Sequence, residues 1–135
     1  MRVYADGSAL VRYLPGQQHA EDWQRWSAQR GPDLLVTSLS LSELRAAVAE
    51  APADVRALAH EVGEGLEVVR YHDQALKLAS MSTGVLSPFA ALHLGVAVTH
   101  PEITELASYD RRLVAVAAIH GLAIVSPGLP AQWWV

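Results

Sequence analysis

Short apolar runs alternate with longer segments of helical spacing along the whole chain. The apolar runs predict strands over residues 2–5, 34–37, 66–71, 105–108 and 122–125. Helical spacing predicts helices over residues 8–14, 20–29, 41–48, 53–62, 73–81, 88–99 and 111–120. This alternation favours an α/β fold with a parallel sheet. No repeat or linker interrupts it, so we expect one domain over residues 1–135.

The expected helix starts follow from residues whose side chains cap free backbone N–H groups. Ser8 is a candidate cap for the first helix, and Ser38 or Ser40 for the helix that contains Leu41 to Val48. Ser87 followed by Pro88 predicts the start of the helix over 88–99.

Three acidic residues follow predicted strand ends. Asp6 comes directly after the first strand, Glu43 lies on the helix after the second, and Asp110 follows the fourth. Ligands of open parallel sheets bind outside the carboxyl ends of the strands. Converging carboxylates need a counter-cation, and an all-oxygen ligand set suits Mg²⁺ or Mn²⁺ better than zinc. Each acid also has a structural alternative, because Asp6 and Asp110 suit helix caps and Glu43 suits a solvated helix face.

Composition changes this picture in two ways. The chain lacks cysteine, which excludes disulfides and thiolate metal sites, and its formal net charge is −4. A negative charge argues weakly against a nucleic-acid partner, although carboxylates that bind a metal lower the net charge themselves.

The chain begins without a long apolar segment and contains no apolar stretch of about 20 residues. We therefore expect a cytoplasmic protein without a membrane segment.

Four segments together resemble the motifs of PIN domains, in order and at the usual spacings. They are Asp6-Gly7-Ser8-Ala9-Leu10, Glu43-Leu44-Arg45-Ala46, Ala90-Ala91-Leu92-His93-Leu94, and Ser108-Tyr109-Asp110-Arg111-Arg112-Leu113. The pattern resembles the toxin subunit of VapBC toxin–antitoxin pairs. That resemblance implies a three-layer α/β/α fold with a short central parallel sheet of four to five strands.

The resemblance also implies a function. It implies a type II toxin that is an Mg²⁺-dependent endoribonuclease (or uses Mn²⁺), cleaves tRNA or rRNA, forms a homodimer and is neutralised by a VapB-like antitoxin. Asp6, Glu43 and Asp110 would then be the catalytic, metal-binding carboxylates, and Ser8 and Ser108 supporting hydroxyls. Arg45 and Arg112 are candidate RNA-binding residues, with a solvated helix face or an ion pair as the alternative.

Position 90 departs from the family pattern, which has an aspartate there. Ala90 offers no ligand, so we expect weak or absent nuclease activity in this chain. Either alanine is native and the protein is a silent, antitoxin-binding relative, or it is a deliberate substitution in a toxic enzyme. The intact remainder of the motif, including His93 and Leu94, favours the substitution.

Three further features leave alternatives open. His93 suits a packed or hydrogen-bonded histidine better than a general base. Trp23 and Trp26 suit core packing, with a partner-facing groove as the alternative. Trp133 and Trp134 at the chain end either fold back onto the domain or meet a partner.

Overall fold

The apolar runs form one parallel sheet in the computed structural model, which describes residues 1–135. The strands are β1 (Arg2–Ala5), β2 (Leu34–Val36), β3 (Glu67–Val68), β4 (Ile103–Ala107) and β5 (Ala123–Val125). Their order across the sheet is β3-β2-β1-β4-β5, and every neighbouring pair is parallel. The predicted parallel sheet is confirmed.

Seven helices cover the two faces of the sheet. They are α1 (Gly7–Leu10), α2 (Ala20–Arg30), α3 (Ser38–Ala47), α4 (Ala53–Glu64), α5 (Asp73–Met81), α6 (Pro88–Thr99) and α7 (Arg111–Ile119). The three-layer α/β/α architecture is therefore confirmed. None of these helices is long and apolar enough to cross a membrane.

The alternation of side chains in β1 divides the core in two. Val3 and Ala5 face the layer that contains Leu10, Trp23 and Leu44. Tyr4 points to the opposite face, where α5, α6 and α7 supply the other apolar cluster. Both faces of the central strands are buried, as expected for a sheet covered by helices on each side.

Two predicted helix starts are wrong. Asp6, and not Ser8, caps the first helix, and its side chain accepts a hydrogen bond from the Ala9 N–H. The α-helix ends at Leu10 and continues as a 3₁₀ turn over Val11–Tyr13. Thr37, and not Ser38 or Ser40, caps α3, because β2 ends one residue earlier than expected and leaves the Thr37 hydroxyl free to cap.

Strand boundaries also differ from the prediction. The third strand shrinks to Glu67–Val68, both exposed, at the edge of the sheet. The fourth begins at Ile103, two residues early, because Ile103 pairs with Arg2 of β1 across a register shift that leaves the polar Thr104 without a partner residue. Polar strand residues are poorly recognised from hydrophobic pattern alone.

The C-terminal residues fold back onto the domain. The Arg111 side chain donates hydrogen bonds to the backbone carbonyls of Trp134 and Val135, at 3.2 and 3.0 Å. Trp133 and Trp134 are half-buried and lie edge to face. Trp23 is fully buried and packs on Trp26, so core packing accounts for the first tryptophan pair.

Candidate active site

The strand order creates a switch point between β1 and β4. The chain runs from β1 outward through β2 and β3, and then returns to build β4 and β5 on the other side of β1. At such a point the connections leave in opposite directions, which opens a crevice at the carboxyl ends of the strands. Asp6 and Ser108, the residues that follow β1 and β4, lie on either side of this crevice.

The Asp6 carboxylate is buried and held by hydroxyl and backbone donors. Its Oδ1 accepts hydrogen bonds from the Ser8 hydroxyl at 2.7 Å and the Ala9 N–H at 3.1 Å. Its Oδ2 accepts one from the Ser108 hydroxyl at 2.8 Å. Burial raises the pKa of Asp6 above its ordinary value, and the charge of His93 and these hydrogen bonds do not outweigh that cost.

Glu43 reaches the same crevice from α3 and packs over Gly7. Its Oε1 accepts hydrogen bonds from the Gly7 N–H at 2.9 Å and from the His93 Nε2 at 2.7 Å. A side chain at position 7 would overlap the Glu43 Cβ, so only glycine allows this approach. Burial raises the pKa of Glu43, but the hydrogen bond and charge of His93 outweigh it, and the pKa lies below its ordinary value.

Asp110 lies at the exposed rim of the crevice and caps α7. Its Oδ1 accepts hydrogen bonds from the N–H groups of Arg112 and Leu113, at 3.1 and 3.2 Å. The Asp110 N–H in turn donates to the Ser108 hydroxyl at 3.0 Å. Ser108 therefore links Asp110 to Asp6, because the same hydroxyl donates to the Asp6 carboxylate.

All three carboxylates share one arrangement. One oxygen of each accepts two hydrogen bonds from nearby donors: Oδ1 of Asp6, Oε1 of Glu43 and Oδ1 of Asp110. The second oxygen of Glu43 and of Asp110 accepts none, and that of Asp6 accepts one. Glu43 and Asp110 are thus fixed through one oxygen with the other open to an outside ligand, whereas Asp6 is held through both oxygens and keeps one free lone pair on Oδ2.

The helix α6 approaches the site without contributing a carboxylate. Ala90 lies in its first turn, buried, with its N–H bonded to the Ser87 hydroxyl. His93 follows three residues later, on the same side of the helix, and reaches Glu43. Position 90 is therefore one helical turn from a side chain that contacts the site.

The carboxylate oxygens of this site are the type of ligand that a hard divalent cation prefers, but too few of them lie near one position. Carboxylate oxygens are the ligands that Mg²⁺ and Mn²⁺ prefer. However, no three acidic or histidine side chains lie close enough together in the structure to hold one ion. Ala90, in the first turn of α6, supplies no oxygen where the family pattern has an aspartate.

The side chains of the basic candidates form no hydrogen bond or ion pair with the carboxylates. The side chains of Arg45 and Arg112 are exposed and form no ion pair, so their predicted contact with RNA stays a prediction. Arg12, in contrast, bonds the Ser8 carbonyl through Nε and lies over the Tyr109 ring, with its guanidinium carbon 4.5 Å from the ring centroid.

Sequence reasoning missed Gly7, Tyr4 and Thr37. Tyr4 and Thr37 belong to a buried polar cluster behind Glu43, in which the Tyr4 hydroxyl lies 2.6 Å from His93 Nδ1 and 2.8 Å from the Thr37 hydroxyl. Burial raises the pKa of Tyr4, so this hydroxyl stays protonated. A tyrosine in an otherwise aliphatic strand is the signal that points to such a cluster, since a buried hydroxyl needs a partner.

Comparison with known families agrees with this geometry. The family model for the PIN domain matches residues 3–126, a range that contains every residue of the site described above. No curated protein matches the chain.

Proposed function

Because this chain belongs to the PIN domain family, we propose that it is the toxin of a type II toxin–antitoxin pair, an endoribonuclease weakened by Ala90. PIN domains are generally metal-dependent nucleases and often belong to toxin–antitoxin systems. The observation that carries the proposal is the arrangement of Asp6, Glu43 and Asp110 at the carboxyl ends of the strands, each held by hydrogen bonds and each with acceptor capacity left. Rigid carboxylates that can still accept a ligand are what a catalytic cation requires.

In this proposal Asp6, Glu43 and Asp110 hold Mg²⁺ or Mn²⁺. When bound, such an ion activates water and neutralises charge on the phosphate that is cleaved. The protein's own part is to fix the ligands: Ser8 and Ser108 orient Asp6, and Gly7 and His93 orient Glu43. Arg45 and Arg112 are proposed to contact the RNA backbone from the exposed rim.

The proposed partners are tRNA or rRNA, a VapB-like antitoxin and a second copy of the chain, in the cytoplasm. Exposed apolar side chains on and between α5 and α6 support a protein partner: Leu76, Met81, Val85 and Phe89. Exposed apolar side chains mark a protein contact where they form one contiguous patch, and these four lie on neighbouring segments of the chain.

Restoration of the missing carboxylate tests the nuclease. We expect Ala90→Asp to raise Mg²⁺-dependent cleavage of tRNA or rRNA by about 100-fold or more over the unmodified chain, since removal of a catalytic group costs orders of magnitude in rate. Ala90→Asn is the matched control, because it has the same size without the charge. Cleavage has to disappear with chelator and in the Ala90→Asp, Asp6→Asn double variant.

A second function is favoured by Ala90 itself. A PIN domain that lacks one acidic position can act as a silent module that binds its antitoxin. If Ala90→Asp is folded by circular dichroism yet cleaves no RNA and does not slow growth of cells that express it, the nuclease proposal fails. Retained antitoxin binding would then support the silent module.

A further inference from the structure

We infer that His93 is a positioning residue for Glu43, and that Tyr4 fixes the His93 ring from the core side. The inference rests on the proposed function in one respect, namely that Glu43 is a metal ligand. It assigns His93 neither the role of a general base nor that of a ligand.

The His93 ring bridges the core and the site. It lies on α6, almost completely buried, with Nε2 2.7 Å from Glu43 Oε1 and Nδ1 2.6 Å from the Tyr4 hydroxyl. Both ring nitrogens are therefore engaged by protein groups. A general base needs a free nitrogen within reach of the proton it removes, which this ring does not offer.

Behind the ring, the direction of the hydrogen bonds is fixed. The Ser40 hydroxyl donates to the Ala5 carbonyl at 2.8 Å, so its proton is not free for Tyr4. The Thr37 hydroxyl accepts hydrogen bonds from the Ser40 N–H at 3.4 Å and the Tyr71 hydroxyl at 3.3 Å. Both of its lone pairs are then occupied, so its own proton is directed to the Tyr4 hydroxyl 2.8 Å away, and the Tyr4 proton is left for His93 Nδ1. His93 Nε2 then carries a proton that it donates to Glu43 Oε1, whether the ring bears one proton or two.

This chain of donors leaves Glu43 only one way to bind an outside ligand. Oε1 accepts from both His93 and the Gly7 N–H, while Oε2 accepts no hydrogen bond. Glu43 therefore presents Oε2 alone. A carboxylate fixed in this way would be pre-oriented for Mg²⁺, which tolerates little ligand freedom.

Packing alone does not explain this cluster. A buried polar group costs free energy unless all its partners are satisfied, and a leucine at position 93 would fill an apolar core without that requirement. The cluster instead connects β1, the start of α3 and α6 through Tyr4, Thr37 and His93. Residues that orient a metal ligand are commonly held in such satisfied networks.

Two measurements test the inference. The first is nitrogen-15 NMR of the imidazole rings in the unmodified chain, where we expect His93 to be protonated on Nε2 and Tyr4→Phe to shift this tautomer preference. The second is Mn²⁺ affinity, measured by calorimetry in the unmodified chain and in the Ala90→Asp variant. His93→Leu should weaken Mn²⁺ binding by about 10- to 100-fold, the usual effect of removing a residue that orients a ligand.

Matched variants separate positioning from general damage. Tyr4→Phe removes one hydroxyl that does not touch Glu43, and should weaken Mn²⁺ binding in the same direction but less. His93→Gln, whose amide can still donate, should recover part of the affinity. His60→Leu removes another histidine paired with a glutamate, on the exposed face of α4, and should change nothing.

The inference is overturned if His93 carries its proton on Nδ1, if His93→Leu and Tyr4→Phe bind Mn²⁺ as tightly as their parents, or if neither parent binds Mn²⁺ at millimolar concentration. If His93→Leu does not fold, Tyr4→Phe and His93→Gln still decide. The readouts require no RNA. Thus Mn²⁺ binding that depends on His93 without RNA cleavage would refute the proposed ribonuclease and leave this inference intact.

Discussion

Asp6 and Glu43 flank Gly7 in space, yet their surroundings differ. Asp6 is buried among hydroxyl and backbone donors, from Ser8, Ser108 and Ala9, and its pKa is raised. Glu43 is partly exposed and has a histidine as its partner, and its pKa is lowered. Burial acts in the same direction on both carboxylates but is more complete at Asp6, and only Glu43 accepts a hydrogen bond from His93, so burial and partner together account for the difference.

The comparison shows that hydrogen bonds from neutral groups orient a carboxylate without neutralising it. The serine hydroxyls fix the Asp6 oxygens, but no cationic side chain donates a hydrogen bond to this buried carboxylate, and the charge of His93 does not offset the cost of burial. A group kept in that condition destabilises the fold and is commonly retained for function. Glu43, by contrast, has compensation within the protein.

The largest expected effect comes from breaking the contact between Gly7, next to Asp6, and Glu43 on α3. Gly7→Ala places a Cβ on the Glu43 Cβ, so α3 has to move away from α1. We expect a loss of about 1–3 kcal/mol in the free energy of unfolding, the usual cost of overpacking, measured by urea denaturation. The pKa of Glu43, followed by carbon-13 NMR, should also rise toward its ordinary value as its hydrogen bonds lengthen.

Gly31→Ala is the matched control for this change. Gly31 has a φ of −52°, and a Cβ there meets nothing within 4 Å. It should be neutral or stabilise the protein by up to about 1 kcal/mol. If Gly7→Ala were equally harmless, Glu43 would not be held against the Gly7 backbone.

Some elements of the fold can be predicted from the sequence and others cannot. Hydrophobic periodicity predicts β1, β2 and α6 well, because their burial follows from the pattern of apolar residues. The register of β4 depends on pairing with β1 and not on its own side chains. Local pattern therefore misses its first two residues.

The candidate site divides in the same way. The positions of Asp6 and Asp110 after strand ends follow from local sequence, since strand ends and helix starts are local features. The approach of His93 to Glu43 and Tyr4 joins residues 50 and 89 positions apart in the chain. Spacing along the sequence contains no information about such a contact, so only the folded structure shows it.

A substitution at Asp6, with an intermediate effect on stability, tests whether its buried charge is uncompensated. Asp6→Asn keeps a good helix cap and removes the uncompensated charge. We expect the variant to be more stable at neutral pH by about 0.5–2 kcal/mol, the range of single stabilising substitutions, in urea denaturation with chelator. Because the folded pKa is raised, the penalty in the parent is absent below the ordinary pKa of 3.8 and grows as pH rises through the folded pKa.

The gain from Asp6→Asn should therefore disappear at low pH. Asp110→Asn is its control, because Asp110 is an exposed cap with the same hydrogen-bonded arrangement. It should change stability by less than about 0.5 kcal/mol. An Asp6→Asn variant less stable than its parent at neutral pH would mean that the serine hydroxyls do compensate for the buried charge.

The smallest expected effect is at Glu43, where removal of the charge should lower the free energy of unfolding, whereas at Asp6 it should raise it. Glu43→Gln keeps an oxygen that accepts from His93 and Gly7 but loses the charge, so we expect it to destabilise the protein by about 0.5 kcal/mol at neutral pH, since the group is partly exposed. Because the folded pKa of Glu43 is lowered, its contribution is present above the ordinary value of 4.5 and is lost as pH falls through the folded pKa. Glu64→Gln, which removes the partner of His60 on the exposed face of α4, should leave stability unchanged at every pH. If Glu43→Gln matched its parent across the pH range, the histidine would hold Glu43 in place without stabilising its charge, and the contrast with Asp6 would reduce to a difference in burial.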